Sequence, residues 1–100
     1  MRNKEFAIAA QNTYSDWLPV GRGETWHLNI NDTAFTADVS VEMKIKDADT
    51  VYTTLRDADI TAGGLYIGEK SVQDCFIRVG VDTGDYTSGT VTGNLAASLV

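Results

Sequence analysis

Residues 34–46 (AFTADVSVEMKIK) constrain the fold more than any other stretch: Phe35, Ala37, Val39, Val41, Met43 and Ile45 alternate with Thr36, Asp38, Ser40, Glu42, Lys44 and Lys46. Successive strand side chains point to opposite faces, so the alternation describes one dry face and one wet face, whereas a helix would scatter both sets around its axis. Burying a large apolar side chain yields about 1.5–3 kcal/mol, while ordering one residue's backbone costs about 1–2 kcal/mol. The strand therefore needs cover from the rest of the chain. It also exceeds the common strand length of about 3–10 residues, which predicts a bend, a bulge or a late start.

The remaining segments supply similar faces. Trp26, Leu28 and Ile30 alternate with Thr25, His27 and Asn29, and Asn31-Asp32-Thr33 follows with turn chemistry, so a hairpin with residues 34–46 is the simplest topology. Val51, Thr53 and Leu55 oppose Tyr52 and Thr54 in a short strand between two Asp-Ala-Asp turns, and Leu65-Tyr66-Ile67 forms another. In residues 74–82, Cys75, Ile77, Val79 and Val81 oppose Phe76, Arg78 and Gly80; the expected partner is residues 87–95, whose Gly89 and Gly93 permit a bulge or close packing. The apolar tail, residues 95–100, finishes the core or adds a strand to a neighbour.

Residues 1–24 read as a strand at 5–10 followed by an irregular arm rich in turn formers, among them Asn12, Ser15, Asp16, Pro19, Gly21 and Gly23. Tyr14, Trp17, Leu18 and Val20 in that arm either lid the core or meet another subunit. The expected fold class is all-β: an antiparallel β-sandwich or small barrel of about seven strands, jelly-roll or Ig-like, with an irregular N-terminal arm. Residues 1–24 form the strand and arm, residues 25–100 the sandwich core, and the whole is a single domain.

Composition narrows the chemistry. A net charge of −6 makes phosphate backbones a poor default partner, so no nucleic acid is expected. One cysteine excludes an intrachain disulfide and a Cys-rich zinc cluster, and Cys75 reads as core. No run approaches the roughly 18 apolar residues of a membrane helix, and the N-terminus has no signal-peptide core, so synthesis in the cytoplasm and no membrane partner are expected. The only imidazole, His27, sits on a polar strand face with no nucleophile motif around it. Asp47 and Asp49, Asp57 and Asp59, and Asp82 and Asp85 lack calcium-loop spacing and read as turn residues. The glycines match neither a P-loop nor a dinucleotide fingerprint. Paired carboxylates are a spatial matter, yet a domain this small rarely makes the deep cleft they need. No catalytic residue, cofactor or metal is expected, and the chain reads as non-enzymatic.

The run FIRVGVDTGDYTSGTVTGNL, residues 76–95, carries Arg78, Val79, Thr83, Gly84, Ser88, Gly89, Thr90 and Val91. With this pattern it resembles the closing hairpin of small all-β accessory proteins of tailed-bacteriophage virions, and residues 39–55 are similar to the same group. The resemblance implies a structural protein of the virion. Its expected role is capsid decoration or cement: it would sit on the capsid surface, bridge subunits of the major capsid protein and associate with copies of itself as a trimer or dimer. Under it, Tyr14, Trp17, Leu18 and Pro19 are the candidate coat or inter-subunit contact. The alternative is a head-fibre or tail component that binds a cell-surface carbohydrate on exposed aromatics. A small hydrolase, the third reading, requires a pocket uniting His27 or two carboxylates. The wet face of residues 34–46 mixes charges and hydroxyls and is not expected to be the principal binding surface.

Overall fold

The computed structural model describes residues 2–53 and 60–99. Every strand pairing among them is antiparallel, and they contain no helix. The strands are β1 (Arg2–Ile8), β2 (Thr13–Tyr14), β3 (Leu18–Val20), β4 (Glu24–Ile30), β5 (Phe35–Ala37), β6 (Ser40–Ile45), β7 (Tyr52–Thr53), β8 (Gly64–Lys70), β9 (Cys75–Val81), β10 (Tyr86–Gly89) and β11 (Val91–Leu99). One sheet has the order β1-β11-β4-β8. In a second, β9 pairs with β6 on one side and with β2 and then β3 on the other, and β7 flanks β6, while β5 and β10 form a separate two-stranded sheet. The described residues hold more strands than the seven or so expected, because interruptions split long segments. The sheets remain separate and do not close into a barrel.

The long alternating stretch is one such interrupted segment. It breaks at Asp38–Val39, where Asp38 N–H donates to the Asp85 carbonyl at 2.8 Å and Val39 exchanges backbone hydrogen bonds with Ile60. β6 pairs with β9; beyond the turn at residues 82–85, β5 pairs with β10. The predicted bend is therefore a change of register shared by two neighbouring segments.

Two expected pairings are corrected. β4 does not form a hairpin with residues 34–46: it lies between β11 and β8 in the first sheet, whereas β6 lies in the second. Both segments turn apolar faces to one core, and they do so from opposite sides. Likewise β9 pairs with β6 rather than with residues 87–95; β11 instead fills the gap between β1 and β4. Alternation tells which face of a strand is dry and leaves its neighbour open. The strand expected at residues 51–55 is seen as the Tyr52–Thr53 pair; Val51 lies before it and is exposed, and residues 54–59 fall outside the described residues.

One contiguous core joins the sheets. Trp26, Leu28, Ile30, Val91, Leu95 and Ala97 from the first meet Val41, Ile77, Val79 and Val81 from the second. Phe6 and Ile8 of β1 and Leu18 and Val20 of β3 belong to the same cluster, so the N-terminal segment is part of the domain's interior. The apolar tail finishes the core as the central strand β11.

Candidate functional site

The outer face of the second sheet gathers the side chains with most to offer a partner. Phe76, Arg78 and Gly80 of β9 alternate outward, and on β6 they stand opposite Lys44, Glu42 and Ser40 respectively. Arg78 Nε donates to Glu42 Oε1 at 2.7 Å. Glu42 is only 8% exposed, so this charge-assisted bond answers a carboxylate largely withdrawn from water.

The N-terminal arm runs along the edge of this sheet, beside β9. β2 pairs with the end of β9 and β3 with its start, and Ser15 clamps the gap: its N–H donates to the Val79 carbonyl at 2.8 Å, and its Oγ accepts from Val79 N–H at 3.0 Å. That clamp delivers two aromatic rings to one guanidinium. Arg78 Cζ lies 4.0 Å from the Tyr14 ring centroid and 4.5 Å from that of Trp17. Lys44 Nζ adds a second cation, 4.9 Å from Trp17 and 5.8 Å from Phe76. All are within the roughly 6 Å over which a ring quadrupole attracts a cation.

Gly80 explains how Tyr14 gets so close. A Cβ there would sit 2.0 Å from Tyr14 Cδ1, so the ring rests on bare backbone. Tyr14 Oη donates to Asp82 Oδ1 at 2.6 Å. That hydrogen bond, with partial burial and the Asp82 charge, pushes the phenol up from 10.0 to about 12. Further along, Thr83 Oγ1 donates to Asn12 Oδ1 at 2.6 Å and Gly84 N–H to Gln11 Oε1 at 2.9 Å, tying the arm's first turn to the turn after β9.

Of the four candidate contact residues, Tyr14 and Trp17 converge on Arg78. Pro19 is exposed on β3 opposite Phe76. Leu18 points inward, 1% exposed, and packs in the core, where it has no surface to offer a partner. Sequence reading missed Phe76, Arg78, Lys44 and Glu42 as members of the cluster, two of them from the wet face of residues 34–46. Their outward spacing on two strands was visible; that the strands are neighbours was not.

The other candidates lie apart. His27 is half-buried on the outer face of β4 between Ala96 and Ile67. Among the described residues, no three His, Cys, Asp or Glu side chains group together as a metal site would need. Asp47 turns the chain after β6 with φ of 66°, and Asp82 and Asp85 bracket the next turn through an Asp85 N–H to Asp82 carbonyl bond of 3.1 Å. Asp57 and Asp59 lie outside the described residues. Trp26 is core, whereas Tyr86 is held by donation to the Gly89 carbonyl at 2.9 Å.

The assembly is a semi-rigid aromatic and cationic patch, with Trp17, Tyr14 and Phe76 half-exposed and each charge close to a compensating group or ring. Comparison with protein families, curated proteins and solved structures gives no match.

Proposed function

We propose that the chain is a non-enzymatic structural protein of a tailed-bacteriophage virion, a decoration or cement protein with a jelly-roll fold. It binds the major capsid protein on the assembled head and associates with copies of itself at symmetric lattice sites. What supports the fold reading is strand order. Taking β2 with β3, β5 with β6 and β9 with β10 as interrupted single strands, and lettering the strands B to I along the chain, the sheets run B-I-D-G and C-H-E-F. That is the order of a two-sheet jelly roll, an architecture used by viral capsid and lectin domains.

Fold alone does not choose among such roles. The observation that favours protein binding is the Tyr14–Arg78–Trp17 stack. Trp, Tyr and Arg dominate the binding energy of protein interfaces, and side chains already held in place lose little freedom on docking. Arg78 is answered by Glu42, so within the stack the half-exposed rings, with Lys44 beside Trp17, are what a protein surface would meet. The carbohydrate-binding alternative draws on the same aromatics.

Sedimentation tests the choice. The purified chain should pellet saturably with assembled phage heads and show no specific signal on a glycan array; array binding without head binding would overturn the cement reading in favour of the alternative. Removing the whole N-terminal segment is a poor test, because Phe6, Ile8, Leu18 and Val20 would leave the core with it.

A further inference from the structure

The outer face of the first sheet differs from that of the second in its charge. The outward positions on its central strands are Thr25, His27 and Asn29 of β4 and Asn94, Ala96 and Ser98 of β11, and none is an acid, a lysine or an arginine. Among the described residues, the charges of this face are Glu5 of β1, beside Asn94, and Lys70 of β8, beside Thr25. They are opposite in sign and stand at opposite edges of the sheet. In a chain with 14 acidic and 8 basic residues, two cancelling charges over a four-stranded face leave it nearly neutral.

The relief of the face is uneven. Leu65 and Ile67 stand out along β8, 61% and 56% exposed. Ile67 lies beside His27 and His27 beside Ala96, which is only 1% exposed although it points away from the core. The face thus carries an apolar ridge at the β8 edge and a shallow trough of small side chains, Ala96 and Ala7, toward β1. A two-fold axis in the plane of contact and parallel to the strands sets β8 of one copy over β11 and β1 of the next, so that each ridge enters the other's trough. Under that axis Glu5 of the two copies falls at opposite edges, so two chains of net charge −6 meet here without juxtaposing like charges.

The size of the face sets the strength of such a contact. Strands β1, β4 and β8 have seven residues each. At a spacing of about 4.8 Å and a rise of about 3.3 Å, the four-stranded face spans roughly 19 Å by 23 Å. That is on the order of 500 Å² per copy and about 1,000 Å² for a pair, the lower bound for a specific interface. We infer that this face is the self-association surface, packing sheet against sheet with a second copy in a weak two-fold dimer, a placement that rests on the self-association proposed above. The two outer faces of the sandwich point in opposite directions, so the dimer leaves both Tyr14–Arg78–Trp17 patches open to the coat.

Sedimentation equilibrium of the intact chain tests this, with a dissociation constant on the order of 100 μM expected for a contact of this size. Raising the salt concentration should tighten the dimer, because it screens the repulsion between like-charged copies. Ile67→Glu and Leu65→Glu, both at exposed positions, should each weaken dimerisation at least about tenfold with unchanged amide NMR spectra, since the two-fold places every added carboxylate in the contact twice. In a mixture of ¹³C-labelled and unlabelled chains, intermolecular NOEs should join the Ile67 and Ala96 methyl groups. A chain that stays monomeric to millimolar concentration overturns the inference together with self-association in free solution. A dimer that persists in both folded variants, or that weakens with salt, overturns the inference alone. So does an Ile67→Glu variant that still dimerises but no longer pellets with heads, because the coat would then cover this face.

Discussion

Replacing Arg78 with methionine probes the stack that organises the outer face. The change keeps most of the aliphatic stem and removes the guanidinium, which lies 4.0 Å and 4.5 Å from two ring centroids and 2.7 Å from Glu42 Oε1. Each partly exposed cation–π contact is worth about 0.5–1 kcal/mol, so the pair contributes about 1–2 kcal/mol. A hydrogen bond to a charged group adds about 1.5–3 kcal/mol. The lower end applies here, because the Arg78 side chain is 24% exposed and water screens the pair. The expected loss is about 3 kcal/mol out of a total of about 5–15 kcal/mol for a domain of this kind. Urea unfolding at neutral pH measures it directly, and the melting temperature should fall by on the order of 15 °C. A double-mutant cycle with Trp17→Ala separates stacking from ion pairing, with an expected coupling of about 0.5–1 kcal/mol. A loss below about 0.5 kcal/mol, the range of an unremarkable surface substitution, or no coupling to Trp17, would refute the reasoning.

Other outcomes follow from the same contacts. Gly80→Ala places a methyl group where Tyr14 lies, and should cost about 1–3 kcal/mol while returning the Tyr14 phenol toward its ordinary value; both are readable by denaturation and by phenolate absorbance. In the native chain one tyrosine should ionise near pH 12, and Tyr14→Phe should remove that late step. Because the folded chain holds this proton more tightly than the unfolded one, the Tyr14 contribution to stability is complete below pH 10 and fades as pH rises toward 12. Gly68→Ala drives a methyl group into the Trp26 indole and should cost about 3 kcal/mol, at the upper end of overpacking, with quenching or a shift of tryptophan emission as a second readout.

Much of the fold was legible because burial has a period. Trp26, Leu28 and Ile30, then Val39 and Val41, then Cys75, Ile77, Val79 and Val81, were assigned to the dry side from alternation, and all are buried. Pairing was not legible. Nothing local in residues 25–46 distinguishes a hairpin from a crossing between sheets, since both satisfy the same faces. The arm shows the same limit. Leu18-Pro19-Val20 alternates buried, exposed, buried as a strand should, but its proline and the surrounding turn formers disguise it. The strand tolerates Pro19 because it lies at a sheet edge, where the Pro19 carbonyl accepts from Arg2 Nε at 2.9 Å. Tyr14 and Trp17 stood out by residue type. Their partners Arg78 and Lys44 did not, because the contacts that unite them join residues far apart in the chain.

The proposed capsid binding places the contact at the Tyr14–Arg78–Trp17 patch. The most direct measurement is the binding isotherm of the Trp17→Ala variant on assembled heads, beside that of the native chain, with folding of both checked by amide NMR. If Trp17 anchors the contact, truncation should cost at least about 2 kcal/mol of binding, a weakening of roughly thirtyfold, while the fold is preserved. Superimposable isotherms from two well-folded proteins would contradict it.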